Sequence, residues 1–294
     1  SSESDGSITP LGRRMLALPV HPRLARLLIA AADLGLLDAG AALAAILSET
    51  DFLLEQDGPL HARAPRTQGQ SDLLLRLDLL DQAHKSRFAP HLRDQGMDPH
   101  AARQVWRVRE ELLRIARRLA QPDRPRAQDT ETELLKLALL AYPDRVVKRR
   151  PADPASGTMV GGGGIRLAPE SIVRQPELYI AIDARHDQRS PSREALVRIA
   201  SAIEESWLED LLPGSVQRQR TVVYDPQRQR VVGRGQTWYR DLLLREDTDA
   251  PVDPHQAGEV LAAAADQYAD DLLAQNDSAQ ALLARIALVR KAMP

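Results

Sequence analysis

The chain has 294 residues, 43% hydrophobic and 27% charged, a globular balance with length for two domains or three small ones. It contains no Cys, which excludes disulfides, thiolate catalysis and Cys-ligated zinc, and no apolar run approaches the roughly 18 to 20 residues that cross a bilayer. The net charge of −2 is unevenly placed, with 23 Lys and Arg against 20 Asp and Glu in residues 1–150 and 16 against 21 in the rest.

Residues 1–7 (SSESDGS) are small, polar and unpatterned, and they carry no fold information. Thr9 then caps a short helix with Pro10 at its first position. Pro22 opens a second helix, in which Leu24, Leu27, Leu28, Ala31 and Leu34 repeat at three and four, and Gly35 ends it. Asp38 starts a third helix, residues 55–70 form a polar loop, and Ser71 caps a fourth helix over Leu73–Ala83. A longer helix begins at Asp98-Pro99 and is expected to run to Ala120. Its stripe of Val105, Val108, Leu112, Ile115 and Leu119 steps by three and four. Thr130 with Glu133 reads as a capping box for a helix over Glu131–Ala141, which Pro143 stops.

After Pro143 the texture changes. LYIAIDA (Leu178–Ala184) and ALVRIASAI (Ala195–Ile203) alternate at period two, the signal of a half-buried strand. TVVYDPQRQRVVGR (Thr221–Arg234) reads as a hairpin turning at Asp225-Pro226, and TWYRDLLLRE as one more strand. Helix returns at Asp253-Pro254, running to about Ala274, and again from Asp277-Ser278. The domain joint is expected near Tyr142–Pro143.

No catalytic set stands out, and the expectation is none. Gly161–Gly164 lacks the following Lys-Ser or Lys-Thr of a phosphate loop and reads as a turn between strands. The seven His never fall as HxxxH or HxxE, so no metal site is expected. Basic clusters remain. Arg103, Arg107, Arg114 and Arg118, spaced 4, 7 and 4, line one face of the long helix as a solvated face or a nucleic-acid backbone contact. Arg145, Lys148, Arg149 and Arg150 crowd the helix-to-strand junction, where such a block binds phosphate or simply solvates. Aromatic residues are 3%, which argues against the stacking platforms of sequence-specific single-strand RNA readers.

The segment TPLGRRMLALPVHPRLARLLIAAADLG (Thr9–Gly35) resembles the junction in DEAH-box/RHA helicases where a winged-helix element hands over to the helicase-associated bundle. It follows the loose pattern LTxLGxxxAxLPxxPxLAxxLL at Thr9, Leu11, Gly12, Leu18, Pro19, Pro22, Leu24, Ala25, Leu27 and Leu28. SDLLLRLDLL, LKLALLAYPDRVVKRR and the segment SWLEDLLPGSVQRQRTVVYDPQRQRVVGRGQTWYRDLLLRE are similar to the bacterial HrpB branch of that family. The GKT/S loop, the DEAH tetrapeptide and the arginine-finger motif are not in the sequence.

The resemblance therefore implies a C-terminal fragment of an ATP-dependent helicase, with a multidomain α+β fold. It implies a remnant of the winged-helix element over residues 1–22, a helical ratchet bundle over 23–142, a small OB-like β unit over 143–205, and a mixed, branch-specific C-terminal region over 206–294. ATP and Mg would belong to two RecA-like domains of the same full-length protein, with no cofactor in this fragment and no ATP hydrolysis by it alone. Its partners would be those motor domains and single-stranded RNA or DNA, in the cytoplasm and without a membrane. The Arg and Lys clusters above would then be its strand contacts. A second class stays open: a non-catalytic protein-interaction scaffold in which those clusters only solvate.

Overall fold

A computed structural model describes residues 8–54, 69–119, 129–185, 194–267 and 276–292. The described residues up to Ser215, with Arg240–Leu242, form one compact unit; Val216–Tyr239 and those from Leu243 onward form another.

The first unit begins with helices. They are α1 (Pro10–Leu16), α2 (Pro22–Asp33), α3 (Leu37–Ser48), α4 (Asp72–Lys85), α5 (Pro99–Ala116) and α6 (Thr130–Ala141). The caps are chemical. The Thr9, Ser71 and Asp98 side chains accept from the first free amides of α1, α4 and α5, the orphan donors of any helix start. For α6 the cap is Asp129, which accepts from the Thr132 amide at 3.2 Å, instead of the expected Thr130. A carboxylate one residue earlier meets the helix dipole as well, and Glu133 pairs with Lys136 at 2.8 Å. The α-helical part of α5 stops at Ala116 and tightens into a 3-10 turn over Arg117–Leu119; the expected continuation to Ala120 lies outside the described residues, as do 55–68 and the end of the helix expected to reach Ala274.

Helices α2, α3 and α5 build a core from Leu24, Leu27, Leu28, Leu43, Val105 and Leu112, all buried. Gly40 lets α3 lie on α2: a Cβ there would stand 2.3 Å from the Ala31 Cβ. Leu112 is 4% exposed in the middle of the α5 stripe, so Leu112→Ala should cost about 2 to 5 kcal/mol through lost transfer energy and a residual cavity. Chemical denaturation of the purified variant checks this, and an unchanged midpoint would contradict it.

Helix α6 ends at Ala141 and the first strand starts at Val146. Five strands follow: β1 (Val146–Arg150), β2 (Asp153–Met159), β3 (Gly164–Leu167), β4 (Leu178–Arg185) and β5 (Ala195–Ala202). They close into a barrel in the order β1-β2-β3-β5-β4, antiparallel except for the parallel β3–β5 pair. Closure comes from β1 against β4, with Val146 opposite Ile180 and Lys148 opposite Leu178. Inward-pointing Val147, Ile165, Leu167, Tyr179, Ala181 and Val197 fill it. Gly161 and Gly162, at φ of +88° and +75°, make the turn from β2 to β3. Helix α7 (Glu205–Leu211) follows the barrel.

The second unit holds a three-stranded sheet of β6 (Val216–Asp225), β7 (Arg230–Tyr239) and β8 (Leu242–Ala250, whose first residue belongs to the first unit), followed by α8 (Pro254–Gln267) and α9 (Asp277–Ala292). The hairpin is longer than the sequence suggested, because β6 pairs from Val216 to Asp225 through a polar run. TWY closes β7, and Arg240, at a φ of 54°, starts the turn into β8.

Candidate nucleic-acid interface

The four basic residues at the junction have separate surroundings. Arg145 donates to the Ile182 carbonyl at 2.6 Å and lies 5.5 Å from the Tyr142 ring centre. Arg149 donates to three backbone carbonyls, Pro176 at 2.7 Å, Val173 at 3.1 Å and Pro154, and lies 4.8 Å from the Tyr179 ring centre. Burial pushes its guanidinium down from the usual arginine value. Lys148 and Arg150 point outward and meet carboxylates, Glu177 at 3.7 Å and Glu194 at 2.6 Å. The strand places them so: alternate side chains of β1 face opposite ways.

On α5, Arg103, Arg107 and Arg114 are exposed, and Arg118 is exposed in the 3-10 turn that follows. Arg114 is paired with Glu111 three residues before it, and Arg103 stands 5.5 Å from the Phe88 ring. The buried arginine of this helix is Arg109, 9% exposed, which pairs with Asp38 at 2.6 Å and with Glu110. The four-and-seven spacing selects the outward face and passes over it.

Between the helices and the barrel entry is a cleft of about 800 Å³, lined among others by His21, Arg23, Glu49, Glu111, Tyr142 and Arg145. Arg23 grips Asp144 with two hydrogen bonds of 2.6 and 2.8 Å and stands 5.2 Å from the Tyr142 ring. The Arg23 hydrogen bond holds the Asp144 carboxyl below the usual carboxylate range, and burial pushes the Tyr142 phenol up.

The seat of the barrel on the helices is a buried polar cluster at the start of α4. Asp72, 2% exposed, accepts from the Ser171 hydroxyl (2.8 Å) and the amides of Ile172 (2.8 Å) and Ala200 (2.9 Å). Ser71 and Ser201 hydroxyls meet at 2.6 Å, and the Ala202 amide donates to the Gln70 carbonyl at 2.7 Å. Burial pushes the Asp72 carboxyl up, against the pull of those donors. Sequence reading finds Ser71 as a cap but has no signal for partners about 130 residues away.

Residues 21–96, from the start of α2 to the turn before α5, match the helicase associated domain (HA2), ratchet-like. The chain is similar in fold to the crystal structure of the E. coli DExH-box NTPase HrpB, at 22% identity and a TM-score of 0.53, over 86% of this chain. It is also similar to the structure of the Escherichia coli DEAH/RHA helicase HrpB, at 19% identity and a TM-score of 0.50, over 85% of this chain. The chain spans 26% of the length of each. The matched segment holds α2, α3 and α4, and the Asp72 cluster at the head of α4 is where these helices meet the barrel. No helix among the described residues is long and apolar enough to cross a membrane.

Proposed function

We propose that this chain is the accessory part of an ATP-dependent DEAH/RHA-type helicase, guiding single-stranded RNA or DNA beside RecA-like motor domains of the same protein. ATP and Mg would act in those motor domains. The observation that carries the reading is the ratchet-like domain at residues 21–96, seated directly on a closed five-stranded barrel. The strand number and the order β1-β2-β3-β5-β4 support an OB-like barrel, a fold that binds oligonucleotides on its face. In this reading residues 1–22 link from a winged-helix element, 23–142 are the bundle, 143–205 the OB-like unit and 206–294 the branch-specific region.

Such a module needs surfaces that hold phosphates and exclude the second strand; it needs no reacting groups. Arg103, Arg107, Arg114 and Arg118 on one side, and Arg145, Lys148 and Arg150 at the barrel entry, are the phosphate contacts. Arg149 acts by fixing the loops through Pro154, Val173 and Pro176.

The test is binding of labelled oligouridylate and oligothymidylate by this chain between roughly 50 and 200 mM salt. Affinity should fall linearly on a logarithmic plot, with about −0.7 of slope per neutralised phosphate. Lys148→Ala with Arg150→Ala, leaving Arg149 in place, should flatten the slope by up to about 1.4. Absence of single-strand binding at low salt would turn the reading toward a protein-docking scaffold.

A further inference from the structure

The chain has only three Trp and two Phe, and one of each meets His84 on the face shared by α4 and α5. The His84 imidazole lies flat on the Trp106 indole, with ring centres 3.7 Å apart and planes 7° apart. The Arg109 guanidinium is 4.3 Å from the centre of the same indole. Two groups that close cannot share one face, so the indole is sandwiched. Arg109 is buried and anchored by Asp38 and Glu110, while His84 is exposed. The result is a π-stack closed at its inner end and open at its outer end.

Phe88 stands beside the open end, 5.8 Å from His84 and tilted by 59°. A turn holds it there at some cost to the backbone: Arg87 and Phe88 both have left-handed φ values, 57° and 55°, which bulky side chains rarely adopt. Their amides donate to the His84 and Ala83 carbonyls at 2.8 Å each. From Trp106 a groove of about 440 Å³ runs along α5 past Arg107, Arg114 and Arg117. Its acids, Glu110 and Glu111, are engaged by Arg109 and Arg114.

We propose that the open face of His84 receives one base of a single strand, whose backbone then follows the groove beside Arg107 and Arg117. This rests on the strand-guiding reading and gives it a place and a mode. An exposed flat ring offers its face to another flat π-group such as a base, and a duplex keeps its base faces covered. A folded protein partner would be met by exposed aliphatic side chains, but among the described residues the exposed large hydrophobic ones all lie off α4 and α5. The scarcity of aromatic residues excludes a run of stacking positions. One position is sequence-tolerant, because every base has a π-face.

The experiment titrates this chain with labelled oligouridylate of about twelve nucleotides and with an abasic oligomer of the same length and charge. His84→Ala should weaken oligouridylate binding about tenfold and leave abasic binding unchanged, while His84→Phe, which keeps a flat ring, should stay within about twofold of the parent. Arg107→Ala and Arg117→Ala should weaken both ligands and lower the salt slope by about 0.7 each. If the parent binds and His84→Ala binds equally well, no base rests there and the strand-guiding reading stands alone. If His84→Ala weakens both ligands alike, or His84→Phe behaves like His84→Ala, the stacking inference is overturned. If the parent binds neither ligand, both readings fall together.

Discussion

Asp72→Ala is expected to destabilise the helix-and-barrel unit by about 3 to 5 kcal/mol. The substitution strands three buried donors, the Ser171 hydroxyl and the Ile172 and Ala200 amides, and each unmet donor costs about 1 to 3 kcal/mol before relaxation. For a unit of this size the melting temperature should drop by roughly 10 °C, read by calorimetry. Asp72→Asn should cost nearly as much, since its amide NH₂ would face groups that already donate. A loss under about 1 kcal/mol would mean that water replaces the carboxylate at the seat.

The same residue fixes a pH dependence. Burial raises the Asp72 carboxyl above its ordinary value, so the folded chain holds that proton more tightly than the unfolded chain. The proton-linked part of its contribution to stability is full below the ordinary carboxylate value and is lost as pH rises through the raised native value. The stability gap between the parent and Asp72→Asn should therefore narrow as pH climbs from about 4. A constant gap would show that the donors cancel the effect of burial.

Arg149→Ala is expected to cost about 2 to 4 kcal/mol, while Lys148→Ala and Arg150→Ala each cost about 0 to 1. The neighbours differ in what they hold. Arg149 ties the chain at Val173, Pro176 and Pro154 together and stands over Tyr179. Lys148 and Arg150 form half-exposed ion pairs with Glu177 and Glu194. Urea titration of the three single variants separates them. A variant that removes all three together would mix loss of fold with loss of phosphate contact, so its binding data could not be assigned to either.

Local features were legible in the sequence because their causes are local. Thr9, Ser71 and Asp98 cap helices within three residues of themselves. LYIAIDA and ALVRIASAI mark β4 and β5, but the expected half-buried alternation gives way to continuous burial over Leu178–Ile182, because α4 and α6 pack against these strands. The α5 stripe puts Leu112 in the core. Pairings between distant segments have no such signal. Nothing periodic announces that β3 runs parallel to β5, or that Ser71 meets Ser201. At the candidate interface, spacing separated outward arginines on α5 but could not tell Arg149 from Lys148 and Arg150. Adjacent basic residues look alike until a strand sends them to opposite faces. The His84–Trp106 stack was hidden for the opposite reason: its members sit on two helices, and composition argued against any platform at all.

The seat at Asp72 also sets a clock for biosynthesis. Its last partners, Ala200 and Ser201, lie 128 to 130 residues after it. At about 5 to 20 residues per second, a ribosome needs roughly 6 to 26 s to deliver them. Throughout that interval the helices can pack, but the head of α4 presents the Asp72 carboxylate and the Ser71 hydroxyl, which caps α4, without their barrel partners. The nascent chain is then an open half-structure with a sticky polar end, a state in which helper proteins and premature cleavage compete with completion.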